Sequence, residues 1–259
     1  MESLKHQSKN NKCLILTGAT GKLGRVFAKY FLSEGRYVVV ISQSAEKLRD
    51  FAKDFSQFGT LHLFEVNLTH TDAVAKFCDD LSQRKIYPEI LINNARSRES
   101  LKIPPSGQVP REKWLDEYLL DVVIPYELTI ALSSMPNSRL ENVVNVGSIY
   151  GVVAAQQALY DDPKTESPIH YGTAKAALLH LTKELSIRLA PKIRVNCVSY
   201  GGVEGRTSED FKKRYARFCP LRRMMREDDL TGPIAFLCSE GSSYLTGANL
   251  IVDGGWTAW

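Results

Sequence analysis

Cysteine is scarce in this chain. The five in 259 residues (Cys13, Cys78, Cys197, Cys219 and Cys238) stand far apart, with no Cys-x-x-Cys and no histidines clustered near them. That spacing argues against a metal site, and an odd, dispersed set reads as reduced thiols of a cytoplasmic protein rather than a disulfide framework. Long apolar runs are missing too. None reaches the roughly 18 residues that a membrane span needs. Residues 1–12, "MESLKHQSKNNK", lack the apolar stretch of a signal peptide and read as a polar extension. A strong charge imbalance is also missing: the net charge is +4, with basic residues spread along the chain, which gives no reason to expect a nucleic-acid partner.

What remains is a length suited to one α/β domain over 13–259, and a regular alternation. "CLILTG" (13–18), "YVVVIS" (37–42), "LHLFEVN" (61–67), "EILINNA" (89–95), "NVVNVGS" (142–148), "IRVNCVS" (193–199) and "NLIVDGG" (249–255) are short, nearly continuous apolar runs. Strands buried on both faces look like this. Between them, "KLGRVFAKYFLSEG", "AEKLRDFAKDF", "TDAVAKFCDDLSQR", "WLDEYLLDVVIPYELTIALS" and "YGTAKAALLHLTKELSIRLA" carry helical apolar spacing. Repeated strand–helix–strand units predict a parallel sheet with helices on both faces. Two irregular stretches, 96–111 and 200–225, follow strand ends and are expected to border a ligand crevice.

"TGATGKLG" (17–24) follows the first strand and opens the first helix. It is either a tight turn or a dinucleotide site. Gly18, Gly21 and Gly24 would bring the backbone up to a pyrophosphate at the helix start, with Thr20, Lys22 and Leu23 beside it. An acid after the second strand would hold the 2′-hydroxyl of NAD; here Ser42, Gln43 and Ser44 stand instead. No carboxylate there repels a 2′-phosphate, so NADP(H) is the expected cofactor and NAD(H) the alternative. Asn67 and Leu68, after the third strand, are placed to edge the adenine.

Tyr171 and Lys175 stand four apart, on one face of a helix. By spacing alone they are a surface aromatic beside a snorkelling lysine. The strand "NVVNVGS", however, ends at Ser148, and the helix carrying Tyr171 follows it. A hydroxyl, a phenol and an ammonium could then meet, the ammonium favouring the charged form of the phenol. Positioned acid–base help of this kind is worth ~10²–10⁴ in rate.

With "TGATGKLG", "INNA" (92–95), "VVNVGSIYG" (143–151), "YGTAK" (171–175), "IRVNCVS" and the C-terminal block from "PLRRM" to "IVDGGW", the chain resembles the short-chain dehydrogenase/reductase family over essentially its whole length. The resemblance implies a Rossmann doubly wound fold with a seven-stranded parallel sheet, a cytoplasmic enzyme, and usually a homotetramer, with a homodimer as the alternative. It implies that Ser148 polarises the substrate oxygen, that Tyr171 gives or takes the proton, and that Lys175 holds the nicotinamide ribose. Asn93, Asn94 and Ala95 match the segment that borders the cofactor and steadies the sheet; Gly201 and Val203, after the sixth strand, complete the cofactor set.

The chain also departs from the family pattern. Asp121 aligns with the asparagine of the family's tetrad and, when ionised, accepts but cannot donate a hydrogen bond. Arg96 replaces a glycine, and either touches a phosphate, narrows the crevice, or is a solvated loop residue. Tyr200 replaces a proline and is expected to change how the nicotinamide face is covered. An extra "AAQQALYDDPKTESPIH" (154–170) separates Ser148 from Tyr171 and is expected to form a loop over the substrate crevice; it contains Tyr160, which has no lysine four residues on.

The insertion, with "DFKKRYARFCPLRRMM", resembles oxidoreductases of surface-sugar biosynthesis of the legionaminic-acid type, which implies an amino or deoxy sugar substrate. Arg206, Lys212, Lys213, Arg214, Arg217, Arg222, Arg223 and Arg226 either attract such an anionic substrate or face water on a lid. The alternatives are a ketoreductase on a polyol, steroid or acyl substrate, and a catalytically weak dinucleotide-binding sensor.

Overall fold

The computed structural model describes residues 12–205 and 207–259. The N-terminal extension, apart from Lys12, and Arg206 of the basic cluster lie outside the described residues. Seven parallel strands form one sheet flanked by helices, in the order β3-β2-β1-β4-β5-β6-β7. The strands are β1 (Cys13–Thr17), β2 (Tyr37–Ser42), β3 (Leu61–Glu65), β4 (Ile90–Asn93), β5 (Asn142–Ser148), β6 (Arg194–Tyr200) and β7 (Asn249–Val252). By contact density the chain divides into two compact units. One holds the chain up to Ala95 with Glu127–Val143; the other holds Arg96–Tyr126 with Val144–Trp259.

In the first unit β1 is central: Leu14 pairs with Val38 on β2 and with Ile90 on β4. Leu14, Ile15, Leu16, Val38, Val39 and Val40 are fully buried, which is why these runs lack polar alternation. The helices α1 (Lys22–Ser33), α2 (Ala45–Phe55) and α3 (Ala73–Gln83) bury Phe27, Phe31, Phe51 and Phe77. The order reverses at β1, with β2 and β3 on one side and β4 on the other. The carboxyl ends of β1 and β4 therefore flank the switch point, where open α/β sheets take their ligands.

In the second unit the segment expected as one helix over 114–133 begins earlier and is interrupted. It runs as α4 (Arg111–Tyr118), a π-helical turn (Leu119–Val123) and α5 (Ile124–Ser134), the last passing into the first unit. The insertion expected as a plain loop holds a 3-10 turn (Gln157–Leu159) and the short helix α6 (Pro163–Glu166), started by Pro163 and capped by the Asp162 carboxylate. α7 (Ile169–Leu189) follows. The stretch 200–225, expected to be irregular, contains α8 (Glu209–Phe218), whose start is set by the Ser208 hydroxyl accepting from Phe211 N at 3.2 Å and by Glu209 and Asp210 in the first turn. α9 (Asp228–Leu237) precedes β7. Ile149, Leu159, Tyr215, Cys219, Met224 and Trp256 form a core in this unit, with Tyr215 stacked on Trp256 at 4.5 Å.

Candidate active site

The glycine turn is built for close backbone approach. Gly18 has φ +66°, and a Cβ there would lie 2.7 Å from Ala95 Cα; a Cβ on Gly24 would lie 2.2 Å from the Gly18 carbonyl oxygen. Neither position takes a larger residue without moving backbone. β1 and β4 are locked at this point. The Thr17 hydroxyl accepts from Asn94 N at 2.9 Å and Ala95 N at 3.0 Å, and Asn94 Nδ2 donates to the carbonyls of Thr17 (3.1 Å) and Gly18 (3.2 Å). Asn94 thus holds the turn itself.

α1 starts at Lys22 behind Gly21, with no side-chain cap and no acidic residue in its first turn. Its first N–H groups and dipole suit a pyrophosphate, so these residues fit a dinucleotide. Gly24→Ala is expected to abolish measurable dinucleotide binding, checked by calorimetric titration of the folded variant. Unchanged affinity would show that the turn does not hold the phosphates.

Ser42 ends β2; its hydroxyl accepts from Ser44 N at 3.2 Å, and Ser44 caps α2 by accepting from Lys47 N. Gln43 is exposed. The Asn67 carboxamide organises its own turn, accepting from Thr69 N (3.2 Å) and Thr69 Oγ1 (2.8 Å), while the Leu68 side chain is buried. A concavity of about 540 Å³ beside Asn67 is also lined by Glu65, His70, Asp72, Lys76 and Asp80.

In the second unit Ser148, 6 % exposed, closes β5. Its oxygen accepts from Tyr150 N at 3.2 Å, which leaves the hydroxyl proton to donate elsewhere. Two glycines let the turn after Ser148 press on α7. A Cβ on Gly151 would lie 2.8 Å from the Lys175 carbonyl carbon, and one on Gly172 would lie 3.0 Å from the Tyr150 carbonyl oxygen. The end of β5 therefore abuts the part of α7 that carries Tyr171 and Lys175.

The Lys175 ammonium is buried. It donates to Asp121 Oδ1 at 3.0 Å and to the Val146 carbonyl at 2.9 Å, and lies 5.8 Å from the centre of the Tyr171 ring. Burial alone lowers the pKa of Lys175; the Asp121 carboxylate, Tyr171 and the Asp121 hydrogen bond outweigh it and raise it above the ordinary lysine value. The aspartate at the asparagine position therefore makes an ion pair with Lys175.

Arg96 lies over the Tyr171 ring, its guanidinium carbon 5.1 Å from the centre. The half-buried phenol thus has two cations about it. Sequence reasoning placed Arg96 near the site but not on this ring.

Tyr200 closes β6. It is buried, and its hydroxyl donates to the Leu230 carbonyl at 2.6 Å, so the residue standing for proline ties β6 to α9. Gly201 donates to the Val252 carbonyl, and Val203 bridges to Met225. Of the seven described members of the basic cluster, four are ion-paired locally: Lys212, Lys213, Arg214 and Arg223 with Glu209, Asp210, Asp161 and Asp229. Sequence reasoning missed Glu117 and His170, both fully buried in this unit.

No helix among the described residues is long and apolar enough to cross a membrane. Of known proteins, the chain is 28% identical over 253 residues to the 3-oxoacyl-[acyl-carrier-protein] reductase FabG of Aquifex aeolicus, covering 94% of this chain and 96% of that one. It is 28% identical over 259 residues to the 7alpha-hydroxysteroid dehydrogenase of Bacteroides fragilis, covering 95% of each. Its fold matches a short chain dehydrogenase of Leptospira borgpetersenii with bound NAD+ at a TM-score of 0.80 and 28% identity, over 95% of this chain and 93% of the other. Residues 18–257 match the family model described as enoyl-(acyl carrier protein) reductase. The chain belongs to the short-chain dehydrogenase/reductase family, whose members are NAD(P)-dependent dehydrogenases and reductases acting on alcohol and keto groups.

Proposed function

We propose that this protein is an NADP(H)-preferring oxidoreductase for an alcohol or ketone carbon, with Ser148, Tyr171 and Lys175 as its catalytic residues. The observation that carries the reading is the buried Lys175 ammonium, fixed by Asp121 and Val146 O beside the Tyr171 ring. The dinucleotide, when bound, supplies or accepts the hydride. Gly18, Gly21, Gly24 and the start of α1 would hold its pyrophosphate.

Ser148 donates its hydroxyl proton to the substrate oxygen and orients it. Tyr171 gives its proton to that oxygen in reduction and takes it in oxidation. Two N–H groups of Lys175 are used by Asp121 and Val146, and the third would hold the ribose hydroxyls of a bound dinucleotide. Asp121 holds the ammonium charged and in place. The test is nicotinamide absorbance during incubation with a panel of alcohols and carbonyls. Absence of turnover on the whole panel, with dinucleotide binding intact, would favour a binding-only sensor.

Ser42, Gln43 and Ser44 support NADP(H), since no carboxylate follows β2 to repel a 2′-phosphate. The Leptospira relative holds NAD+, so the family scaffold itself does not decide between the two. Ser42→Asp is expected to weaken NADP(H) and shift preference toward NAD(H) by about tenfold or more, read as the ratio of kcat/KM for the two cofactors. An unchanged ratio would place recognition of the 2′ position elsewhere.

The finer reading of the substrate is an amino or deoxy sugar. The polar "LKIPPSGQVP" stretch supports it over a lipid tunnel, and a panel holding phosphorylated sugars, polyols, steroids and acyl thioesters separates it from a ketoreductase on those substrates. With four of the basic side chains already ion-paired, recognition by shape and hydroxyl contacts is favoured over long-range attraction.

A further inference from the structure

Two carboxyl groups and one ammonium are buried together behind Tyr171. Glu117 of α4 is 0% exposed, Asp121 of the π turn 2% and Lys175 of α7 5%. Lys175 pairs with Asp121 Oδ1; among the described residues, no hydrogen-bond partner reaches Asp121 Oδ2 or Glu117 Oε1. The other Glu117 oxygen is hydrogen-bonded to the Ser100 hydroxyl, which also lies 3.2 Å from the Ser97 carbonyl. A hydroxyl carries one proton. Given to Glu117 it favours the carboxylate; given to Ser97 O it leaves Ser100 to accept the proton of a carboxylic acid, so this bond permits either form. The same residue's carbonyl accepts from His170 Nε2 at 2.7 Å, and the fully buried His170 packs 5.9 Å from Trp114. The segment carrying Ser100 is thereby fixed to α7.

Charge count favours the neutral acid. One buried ammonium balances one buried carboxylate, and a second carboxylate would stand uncompensated in a low-dielectric site beside a like charge. Arg96 also faces Glu117, but it is exposed and screened by water.

We propose that Glu117 is held as the neutral acid and is a positioning residue for the proton transfer assigned to Tyr171: its proton keeps the Asp121–Lys175 pair in charge balance, and losing that proton turns the reaction down. This rests on the assignment of Tyr171 as proton carrier. Burial pushes the Glu117 carboxyl above its ordinary range; the Ser100 bond opposes this, Asp121 adds to it, and Lys175 and Arg96 oppose it, with the balance upward. Once Glu117 ionises, the buried group carries a net negative charge. A phenolate on Tyr171 would add a second, so accepting a proton from an alcohol becomes harder.

Glu117→Gln keeps the shape and neutrality of the acid and cannot ionise. The ratio of its kcat for alcohol oxidation to that of the unaltered enzyme is expected to rise with pH by about threefold or more through the Glu117 ionisation, with KM little changed. Should that variant not fold, Ser100→Ala removes the bond that favours ionisation and is expected to move the same limb to higher pH.

Infrared spectroscopy gives a readout independent of turnover. The unaltered protein at neutral pH is expected to show the carbonyl stretch of a buried, protonated carboxyl, and Glu117→Gln to lack it. Absence of that band overturns the neutral acid even in an active enzyme. A band accompanied by superimposable pH profiles, or by a loss equal at every pH, overturns the positioning role. A band without turnover on any alcohol removes the Tyr171 reading on which that role rests.

Discussion

Tyr171→Phe is expected to lower kcat by ~10²–10⁴ while dinucleotide affinity changes little. The change removes one oxygen and leaves the ring. A phenyl face still attracts the Arg96 guanidinium at 5.1 Å and the Lys175 ammonium at 5.8 Å, so the local packing persists. What disappears is the atom assigned to carry the proton. Loss of kcat with KM held is the signature of an interaction made in the transition state alone. Steady-state kinetics with calorimetric titration of the dinucleotide checks both parts, and undiminished turnover would remove Tyr171 from the chemistry.

Lys175→Met has the second large effect, and it falls on stability as well as activity. The substitution leaves the Asp121 carboxylate buried opposite a thioether. Breaking a buried ion pair from one side costs about 3–5 kcal/mol, a large share of a protein's net stability. The double variant Lys175→Met with Asp121→Leu removes both charges and is expected to recover most of that loss in urea denaturation, while activity stays absent.

The sign of the pH dependence follows from the raised folded-state pKa of Lys175. Its contribution is fully present below the ordinary lysine value and is lost as pH rises through the higher folded value, so the stability gap between the unaltered protein and Lys175→Met closes only in strongly alkaline buffer. A double variant as unstable as the single one would mean that the pair is not what the site loses.

Much of the scaffold was legible because its signals are local. β2, β5 and α2 fall where their apolar runs or helical spacing place them, and the glycine turn sits between β1 and α1 as its spacing requires. β4 ends at Asn93, short of the apolar run, because Asn94 and Ala95 turn to bind Thr17 and Gly18; that is a contact between distant segments.

Elsewhere the sequence misled for physical reasons. The Ser-Glu-Asp-Phe start of α8 is an N-terminal signature, overlooked among the charges of its neighbourhood. The π turn interrupts a pattern that reads as one continuous helix. Glu117 was invisible because hydrophobic periodicity assigns a glutamate to the solvent face, whereas tertiary packing buries it. The i, i+4 spacing to Asp121 was the one available hint. Ser148, Tyr171, Lys175 and Asp121 were all named from the sequence; the ion pair that joins the last two was not.

The hydroxyl contact of 2.9 Å between Tyr150 and Tyr160 joins the chain just beyond Ser148 to the insertion, and the insertion is seated on α8 by Phe211 against Tyr160 and by Arg214 on Asp161. Substitutions at Phe211 or Asp161 would therefore reshape the surroundings of Ser148 without touching any group to which the proposed function assigns proton movement. If Ser148 and Tyr171 act as proposed, drift on a peripheral helix alters what lies beside them while leaving both in place.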